Sequence, residues 1–271
     1  MKSIAPSRSE TPPGLVFRPM VWYGKKVIES VRLESRRHAL FLDFDGTLAD
    51  IAPRPDAVRL SSEVPQVLAA LQHKLGGAVA LVTGRPMNDV DALLAPLRLA
   101  AAYEHGAVLR TRDGEVLRTS APDLHEALAT ARVLVQKYPA LLLEEKSSSM
   151  ALHYRQAPQL EKICLHALAP IVTGRPDLKL LHGKAVLEVK SSRVHKGTAI
   201  AAFMQQPPFR GRVPVFAGDD VTDEAGFLAV KQMGGVGIKV GDGPTAAKAR
   251  LANPQALRQW LIDNARREHT S

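Results

Sequence analysis

Two aspartates, Asp43 and Asp45, stand at the end of an apolar stretch of the sequence. The stretch 39–42 predicts a short buried strand, and Gly46-Thr47 after the aspartates predicts a turn. Ligands of open α/β sheets bind beyond the carboxyl ends of the strands, and residues i and i+2 of an extended chain face the same side. Two carboxylates so close together repel each other unless a cation lies between them. The spacing therefore predicts a divalent metal, although a bare D-x-D string also occurs in ordinary acidic turns.

A second acidic group follows another apolar run, residues 213–217. After Gly218 come four acids within six residues, namely Asp219, Asp220, Asp223 and Glu224. Part of this group has a structural explanation, because Thr222 can cap a helix whose first turn favours acidic side chains. Asp219 and Asp220 have no such explanation. The group thus repeats the pattern of the first acidic pair at the end of another predicted strand.

Two other positions could serve an anionic group. Thr83-Gly84-Arg85 closes the apolar run 78–82, and a hydroxyl with unpaired amides at a helix start suits a phosphate. Pro86 fits the first helical position, but Thr83 could equally be a simple helix N-cap. Lys196 opens another predicted helix, where its charge opposes the helix dipole. That local cost favours a buried anionic partner for Lys196.

The string FLDFDGTLAD, residues 41–50, resembles the first motif of the haloacid dehalogenase superfamily of phosphoryl-transfer enzymes. Thr83, Lys196 and the string GDDVTD, residues 218–223, resemble the second, third and fourth motifs of that superfamily in the same order. Four motifs in this order are highly specific for the superfamily.

The resemblance assigns roles to these residues. Asp43 is the expected nucleophile, Asp45 the expected general acid and base, and Thr83 and Lys196 are expected to stabilise the phosphoryl group. The implied cofactor is Mg²⁺. The residues expected to hold it are Asp43, the backbone carbonyl of Asp45 and Asp219, with Asp220 and Asp223 behind them. Gly84 and Arg85 are expected to contact the substrate.

The residue pattern changes between positions 107 and 187. A hairpin turning at Asp113-Gly114, two helices and two pairs of strands are predicted there, which is typical of an α+β insert. The predicted fold class is α/β, a Rossmann-like parallel-sheet core of the haloacid dehalogenase type with an inserted α+β cap domain. The predicted divisions are a basic N-terminal extension, 1–36, a phosphatase core, 37–106 and 191–271, and the cap, 107–190.

The predicted cap strands each carry acids and bases on one face. Glu144 and Lys146 share a face of one strand, and Glu188 and Lys190 share a face of another. A solvated face of an antiparallel sheet would look the same. The alternative is a floor that binds a polyhydroxylated ligand, since sugars need mixed donors and acceptors.

The strings LEEK, HYR and LEVK in these strands resemble the cap signatures of trehalose-6-phosphate phosphatases. The resemblance implies contacts with the disaccharide by Glu144, Lys146, Arg155 and Glu188. The string EHG resembles a segment at the core and cap junction of sugar-phosphate members and adds His105 as a substrate contact. One departure is Lys190-Ser191, where Arg-Pro is expected in most members.

The implied function is Mg-dependent hydrolysis of trehalose 6-phosphate to trehalose and phosphate through an aspartyl-phosphate, a step of trehalose biosynthesis. A related phosphatase acting on sucrose 6-phosphate or a glycosyl phosphoglycerate would share the core motifs and differ in the cap. A non-enzymatic sugar-phosphate sensor is a further alternative. Such a sensor would typically lose Asp43 or Lys196, and both are present.

The composition limits other functions. The chain has 271 residues, 45% hydrophobic and 23% charged, which is ordinary for a globular protein. No apolar run approaches the roughly 18 residues that span a bilayer, and the single cysteine, Cys164, suits a reducing compartment, by default the cytoplasm.

The net charge is +9, and residues 1–37 hold eight Lys and Arg against three Glu. A small anionic substrate, rather than nucleic acid, is the simpler explanation for the remaining charge. The oligomeric state stays open.

Overall fold

A computed structural model describes residues 28, 31–52, 57–120, 122–145, 148–183 and 185–266. In these ranges the strands are β1 His38–Leu42, β2 Val79–Val82, β3 Ala100–Tyr103, β4 Val108–Arg110, β5 Val116–Arg118, β6 Leu142–Glu145, β7 Ser149–His153, β8 Leu178–Gly183, β9 Val186–Ser191, β10 Val213–Gly218, β11 Val236–Val240 and β12 Ala249–Leu251. The helices are α1 Glu63–Lys74, α2 Met87–Leu94, α3 His125–Lys137, α4 Glu161–Thr173, α5 Lys196–Met204, α6 Glu224–Gln232 and α7 Pro254–Arg266.

The larger sheet has the strand order β12-β11-β10-β1-β2-β3-β4-β5. Its first six strands are parallel, and β4 and β5 add an antiparallel edge. β1 lies inside the sheet, where Leu42 pairs with Ala217 of β10 and with Leu81 of β2. The carboxyl ends of β1, β2 and β10 therefore meet at one edge, as the apolar runs predict.

Apolar burial explains why these segments form the interior of the sheet. Residues 39–42 and 79–82 are fully buried, and each buried leucine or valine contributes roughly 1.5–3 kcal/mol. Helix α1 packs through Val64, Leu68 and Leu71, as its predicted apolar stripe requires. The parallel core predicted from the sequence is confirmed.

A second sheet, the cap sheet, is antiparallel, with the order β6-β7-β9-β8. One face packs against α3 and α4 through a cluster that includes Met150, Leu152, Leu187 and Val189. The residues between them in the strands lie on the opposite face. The cap sheet thus has one apolar and one mixed polar face, as predicted.

The hairpin of β4 and β5 does not belong to the cap sheet, although the sequence pattern placed it in the cap. Val108 pairs with Tyr103 of β3, so the hairpin extends the larger sheet. The turn itself is where the sequence predicts it, since Gly114 has φ +88°. A two-stranded hairpin is marginal alone, and pairing with β3 provides the support that local pattern does not reveal.

Two predictions for the C-terminal part are wrong. The strand predicted at 234–240 is β11, but it is not the last one, because the short β12 pairs with it. Three residues, Ala-Arg-Leu, carry too little alternation to be recognised. Residues 254–266 form one helix rather than two segments around Pro254, because that proline is the first helical residue and needs no hydrogen-bonded N–H there.

Several predictions concern residues outside the described ranges. Lys146 is one of them, as is most of the N-terminal extension. Residues 31–36 are described, and Leu33 is buried with its N–H donating to Asn264 Oδ1 of α7 at 2.8 Å. This end of the extension therefore packs onto the core. None of the helices in the described ranges is both long and apolar enough to cross a bilayer.

Candidate active site

Lys196 connects two buried carboxylates at the edge where the parallel strands end. Its Nζ lies 2.6 Å from Asp43 Oδ1 and 2.6 Å from Asp223 Oδ1. Asp43 is held at the end of β1 because its N–H donates to Ala217 O of β10 at 2.9 Å. The lysine begins α5, which the side chain of His195 caps by accepting from Thr198 N–H. The anionic partner inferred from the position of Lys196 is thus present.

Three carboxylates form a candidate cation site. One oxygen each from Asp43, Asp219 and Asp223 lies within 4.8 Å of the others. The Thr47 hydroxyl lies 3.0 Å from Asp219 Oδ1 and 3.3 Å from Asp43 Oδ2. Carboxylate oxygens in this number suit a hard divalent cation.

Asp223 differs from the other two acids because both of its oxygens already have partners. Oδ1 faces Lys196, and Oδ2 accepts from the backbone N–H groups of Asp219 and Asp220 at 3.0 and 2.9 Å. This arrangement shapes the loop and leaves Asp43 and Asp219 as the better ligands. The cap predicted at Thr222 is wrong, because Asp220 caps the turn by accepting from Val221 N–H at 2.6 Å.

The electrostatics of the cluster are governed by burial. Burial raises the pKa of Asp43 to about 6, although Lys196 opposes the rise. Burial, followed by the charge of Asp43, raises the pKa of Asp223 to about 6. Burial also raises the pKa of Asp219. For Lys196, burial alone would lower the pKa, but the two carboxylates together raise it. Lys196 alone therefore does not neutralise the three acids. A divalent cation would neutralise the negative charge that remains.

Asp45 and Arg85 form a bidentate ion pair beside this cluster. Arg85 Nε donates to Asp45 Oδ2 and Nη2 to Asp45 Oδ1, both at 2.7 Å. Arg85 was predicted to contact substrate, and this carboxylate partner was not anticipated. The Thr83 hydroxyl accepts from Arg85 N–H at 3.1 Å. Thr83 is not a helix N-cap, since Pro86 holds that position ahead of α2.

His105 lies against the second motif. Glu104 and His105 have φ of 50° and 60°, and such left-handed backbone costs of order 1–3 kcal/mol in residues other than glycine. The N–H of His105 donates to Thr83 O at 2.8 Å. A Cβ on Gly84 would lie 2.7 Å from the His105 ring, so this close contact needs glycine. The structure thus brings together His105, Gly84 and Thr83.

A cleft of about 740 Å³ joins the core to the cap sheet. The polar and charged residues that line it are Asp45, Arg85, Asp89, Glu104 and Glu144. Glu144 comes from β6, and its Oε2 lies 3.0 Å from His153 Nε2 of β7. Glu188 belongs to the same cross-strand row through Ala151. Among the described residues, Arg155 and Glu188 do not line this cleft.

Two site residues were missed by the sequence analysis. Thr47 stands inside the first motif, but it was treated only as part of a turn. Lys239 is buried in β11, and its Nζ donates to the backbone carbonyl of Asp219. A lysine within a buried parallel strand is unusual, and that signal could have identified Lys239.

Comparison with known proteins is consistent with this geometry. Residues 41–256 match the family model described as trehalose-phosphatase. A trehalose-6-phosphate phosphatase of Escherichia coli is 42% identical over 229 residues, covering 84% of this chain and 86% of the relative. A probable trehalose-phosphate phosphatase of Sinorhizobium fredii is 41% identical over 236 residues, covering 86% and 89%.

A solved structure supports the fold independently. The C-terminal domain of C. albicans trehalose-6-phosphate phosphatase superimposes with a TM-score of 0.71, covering 85% of this chain and 92% of that one at 22% identity. The family match spans the core motifs and the whole cap sheet. The chain therefore belongs to the trehalose-phosphatase family, as its motifs predict.

Proposed function

We propose that this protein hydrolyses trehalose 6-phosphate to trehalose and phosphate, the reaction for which its family is named. The observation that carries the proposal is the buried Lys196–Asp43 pair, which lies two residues along the chain from Asp45, a residue that lines the cleft together with Glu144 of the cap sheet. Asp43 can attack phosphorus there while Lys196 stabilises negative charge. The name of the E. coli relative supports this substrate.

Magnesium is the proposed cofactor. Asp43, the backbone carbonyl of Asp45 and Asp219 would hold it, with Asp220 and Asp223 supporting them from behind. The donor set fits, because Asp43 and Asp219 are carboxylates in a group that Lys196 alone does not neutralise. When bound, Mg²⁺ would offset the repulsion between Asp43 and the phosphate dianion.

The first chemical step transfers the phosphoryl group to the enzyme. A carboxylate oxygen of Asp43 forms a bond to phosphorus as the bond between phosphorus and the sugar oxygen breaks. Asp45 donates a proton to the departing sugar oxygen. Thr83 and Lys196 stabilise charge on the phosphoryl oxygens. The products of this step are the free sugar and an aspartyl-phosphate at Asp43.

The second step releases phosphate. Asp45, now ionised, takes a proton from a water molecule whose oxygen attacks phosphorus. The bond between phosphorus and the Asp43 oxygen breaks, and the carboxylate of Asp43 is restored. Asp45 ends this step protonated, ready for the next turnover, so the proton balance closes.

The cap face is the proposed site of sugar recognition. Glu144 lines the same cleft as Arg85, and charged acceptors bind sugar hydroxyls well. His105, Lys146, Arg155 and Glu188 are the remaining proposed contacts. We retain the core at 37–106 and 191–271 and the cap at 107–190 as a proposal, although the pairing of β4 with β3 favours a later start of the cap. The proposed compartment is the cytoplasm.

A panel of phosphate esters tests the assignment. Phosphate release is measured with trehalose 6-phosphate, sucrose 6-phosphate, a glucosyl phosphoglycerate and p-nitrophenyl phosphate, with Mg²⁺ and after EDTA. We expect trehalose 6-phosphate to give the highest kcat/KM and EDTA to abolish turnover until Mg²⁺ is restored. A preference for either other sugar ester would reassign the substrate, and full activity in EDTA would remove the metal from the proposal.

A further inference from the structure

We propose that Arg85 is a positioning residue that fixes the carboxylate of Asp45 at the cleft, rather than a ligand of the substrate phosphate. The inference deepens the proposed function and rests on the assignment of Asp45 as the acid and base. It concerns a single ion pair that the sequence motifs did not predict. Its consequence is that removing Arg85 should lower kcat/KM for substrates that need a proton on the departing oxygen much more than for substrates that do not.

Asp45 and Arg85 form a side-on, bidentate ion pair. Both carboxylate oxygens of Asp45 accept from the guanidinium of Arg85 at 2.7 Å. Such side-on pairing fixes the plane of a carboxylate as well as its position. The two side chains are unequally exposed, 9% for Arg85 and 42% for Asp45. Arg85 is therefore the enclosed partner, and Asp45 is the one presented to the cleft.

Arg85 is itself held from three sides. Its guanidinium lies 5.6 Å from the centre of the Phe44 ring. The backbone N–H of Arg85 donates to the Thr83 hydroxyl at 3.1 Å, and the backbone carbonyl of Arg85 accepts from Glu104 N–H at 3.2 Å. Backbone and side chain of Arg85 together thereby join the first and second motifs. A rigid partner of this kind can hold a catalytic group to the sub-ångström accuracy that proton transfer requires.

The charges around Arg85 argue against a primary role in phosphate binding. Asp45 is the largest cause of its raised pKa, and the charges of Asp89 and Asp43 act in the same direction. Glu104 and Glu144 also line the cleft. A phosphate would have to displace Asp45 to bind the Nε–Nη2 edge of the guanidinium. Lys196 already supplies a buried cation next to the nucleophile.

The test compares kcat/KM for trehalose 6-phosphate and for p-nitrophenyl phosphate. This ratio reports steps up to phosphoryl transfer to Asp43, and p-nitrophenolate departs without needing a proton. For Arg85→Ala we expect kcat/KM to fall about 10²-fold on the sugar phosphate, within the range that acid catalysis contributes. On p-nitrophenyl phosphate it should change less than about threefold. Arg85→Lys, which can pair with one oxygen only, should recover part of the loss.

Three comparisons separate the possible explanations. The double variant Asp45→Asn, Arg85→Ala should be no slower than Asp45→Asn alone, because the two residues act as one unit. Inorganic phosphate should inhibit Arg85→Ala as strongly as wild type. Arg98→Ala is the matched control, since exposed Arg98 also pairs with an aspartate, Asp91, at 3.3 Å, and it should leave both substrates unaffected.

Several results would overturn the inference. Equal losses of kcat/KM on both substrates, with weaker inhibition by phosphate, would make Arg85 a phosphate ligand. Additive losses in the double variant would also contradict a shared role. Failure of the proposed function is distinguishable, because wild type would then prefer another ester of the panel whatever Arg85 does, and failure of the nucleophile assignment would leave Asp43→Asn active on both substrates. Arg85→Lys keeps the test decisive if Arg85→Ala does not fold.

Discussion

At the scale of single residues, the site is a compromise between burial and charge. Asp43, Asp223 and Lys196 are nearly inaccessible to solvent, and burying an ion is costly unless it is paired. Lys196 pairs with both acids at once. The negative charge that remains on the three carboxylates would favour a bound cation. The same shortage of positive charge has measurable effects on catalysis and on stability.

Asp43→Asn tests the nucleophile. The amide has nearly the same shape but cannot attack phosphorus as a carboxylate does, and Lys196 keeps Asp223 as a partner at 2.6 Å. We expect phosphate release from trehalose 6-phosphate to fall by at least about 10³-fold, with an unchanged circular dichroism spectrum. Asp50→Asn, at an exposed position of the same loop, is the control. Near-normal turnover of Asp43→Asn would refute the assignment.

The pH dependence of stability follows from the same acids. The pKa values of Asp43 and Asp223 are about 6 in the folded protein against 3.8 for an unperturbed side chain. The folded state thus binds more protons between these values, so the free energy of unfolding decreases as the pH rises from 4 to 7. We expect wild type in EDTA to lose about 1 to 3 kcal/mol more over this range than Asp43→Asn.

Urea denaturation at a series of pH values measures that difference. EDTA keeps the cation site free of metal, so that only protons compete for the carboxylates. Mg²⁺ added at pH 7 should restore stability to wild type and much less to Asp43→Asn. Parallel pH profiles for the two proteins would show that the buried acids do not control stability.

At the scale of secondary structure, the site depends on turns that let strand ends approach closely. Gly46 has φ +71°, and a Cβ there would lie 2.1 Å from Asp219 Oδ2. The turn after β1 and the loop after β10 therefore fit together only with glycine at this position. The D-x-D-G-T motif thus has a steric reason for its glycine.

Gly46→Ala tests this requirement, with Gly114→Ala as the matched control. Both glycines have positive φ, but nothing lies within 4 Å of a Cβ on Gly114. Gly114→Ala should lose only about 1 kcal/mol of stability, because alanine is strained at a positive φ. Gly46→Ala should lose more stability and reduce kcat about 10²-fold, because Asp219 must move by an ångström or more. Thermal unfolding and phosphate release are the measurements, and similar behaviour of the two variants would contradict the steric argument.

The sequence predicted most of these elements because buried parallel strands and amphipathic helices have strong local patterns. It also predicted Asp43, Asp219 and Lys196, since each stands at a strand end or a helix start. Thr47 was missed because its partner Asp219 is 172 residues away in the sequence. Lys239 was missed although a lysine inside a predicted buried strand is itself a signal. The Asp45–Arg85 pair was missed because its two residues stand in different motifs, 40 residues apart. The pairing of the hairpin with β3 was not predicted, because local pattern does not reveal which strand supports a hairpin.

At the scale of the whole molecule, one cleft is lined both by residues of the core and by Glu144 of the cap sheet. In the proposed function, the core supplies chemistry that any phosphate ester could use, whereas the cap sheet supplies the face that distinguishes one ester from another. Glu144 reaches the cleft from β6, and His153 holds its carboxylate from the neighbouring strand. Specificity and turnover should therefore respond separately to mutation.

Glu144→Ala tests whether the cap face binds sugar. Loss of one charged hydrogen bond, worth about 1.5–3 kcal/mol, should reduce kcat/KM for trehalose 6-phosphate by about 10- to 150-fold. For p-nitrophenyl phosphate, which has no sugar hydroxyls, we expect a change of less than about threefold. Glu145→Ala is the control, since Glu145 projects from the opposite face of β6 and pairs with Arg132 at 2.8 Å. It should leave both substrates unaffected, because an exposed pair of this kind adds at most about 1 kcal/mol to stability. Equal losses on both substrates in Glu144→Ala would instead indicate that the polar face of the cap sheet is merely solvated.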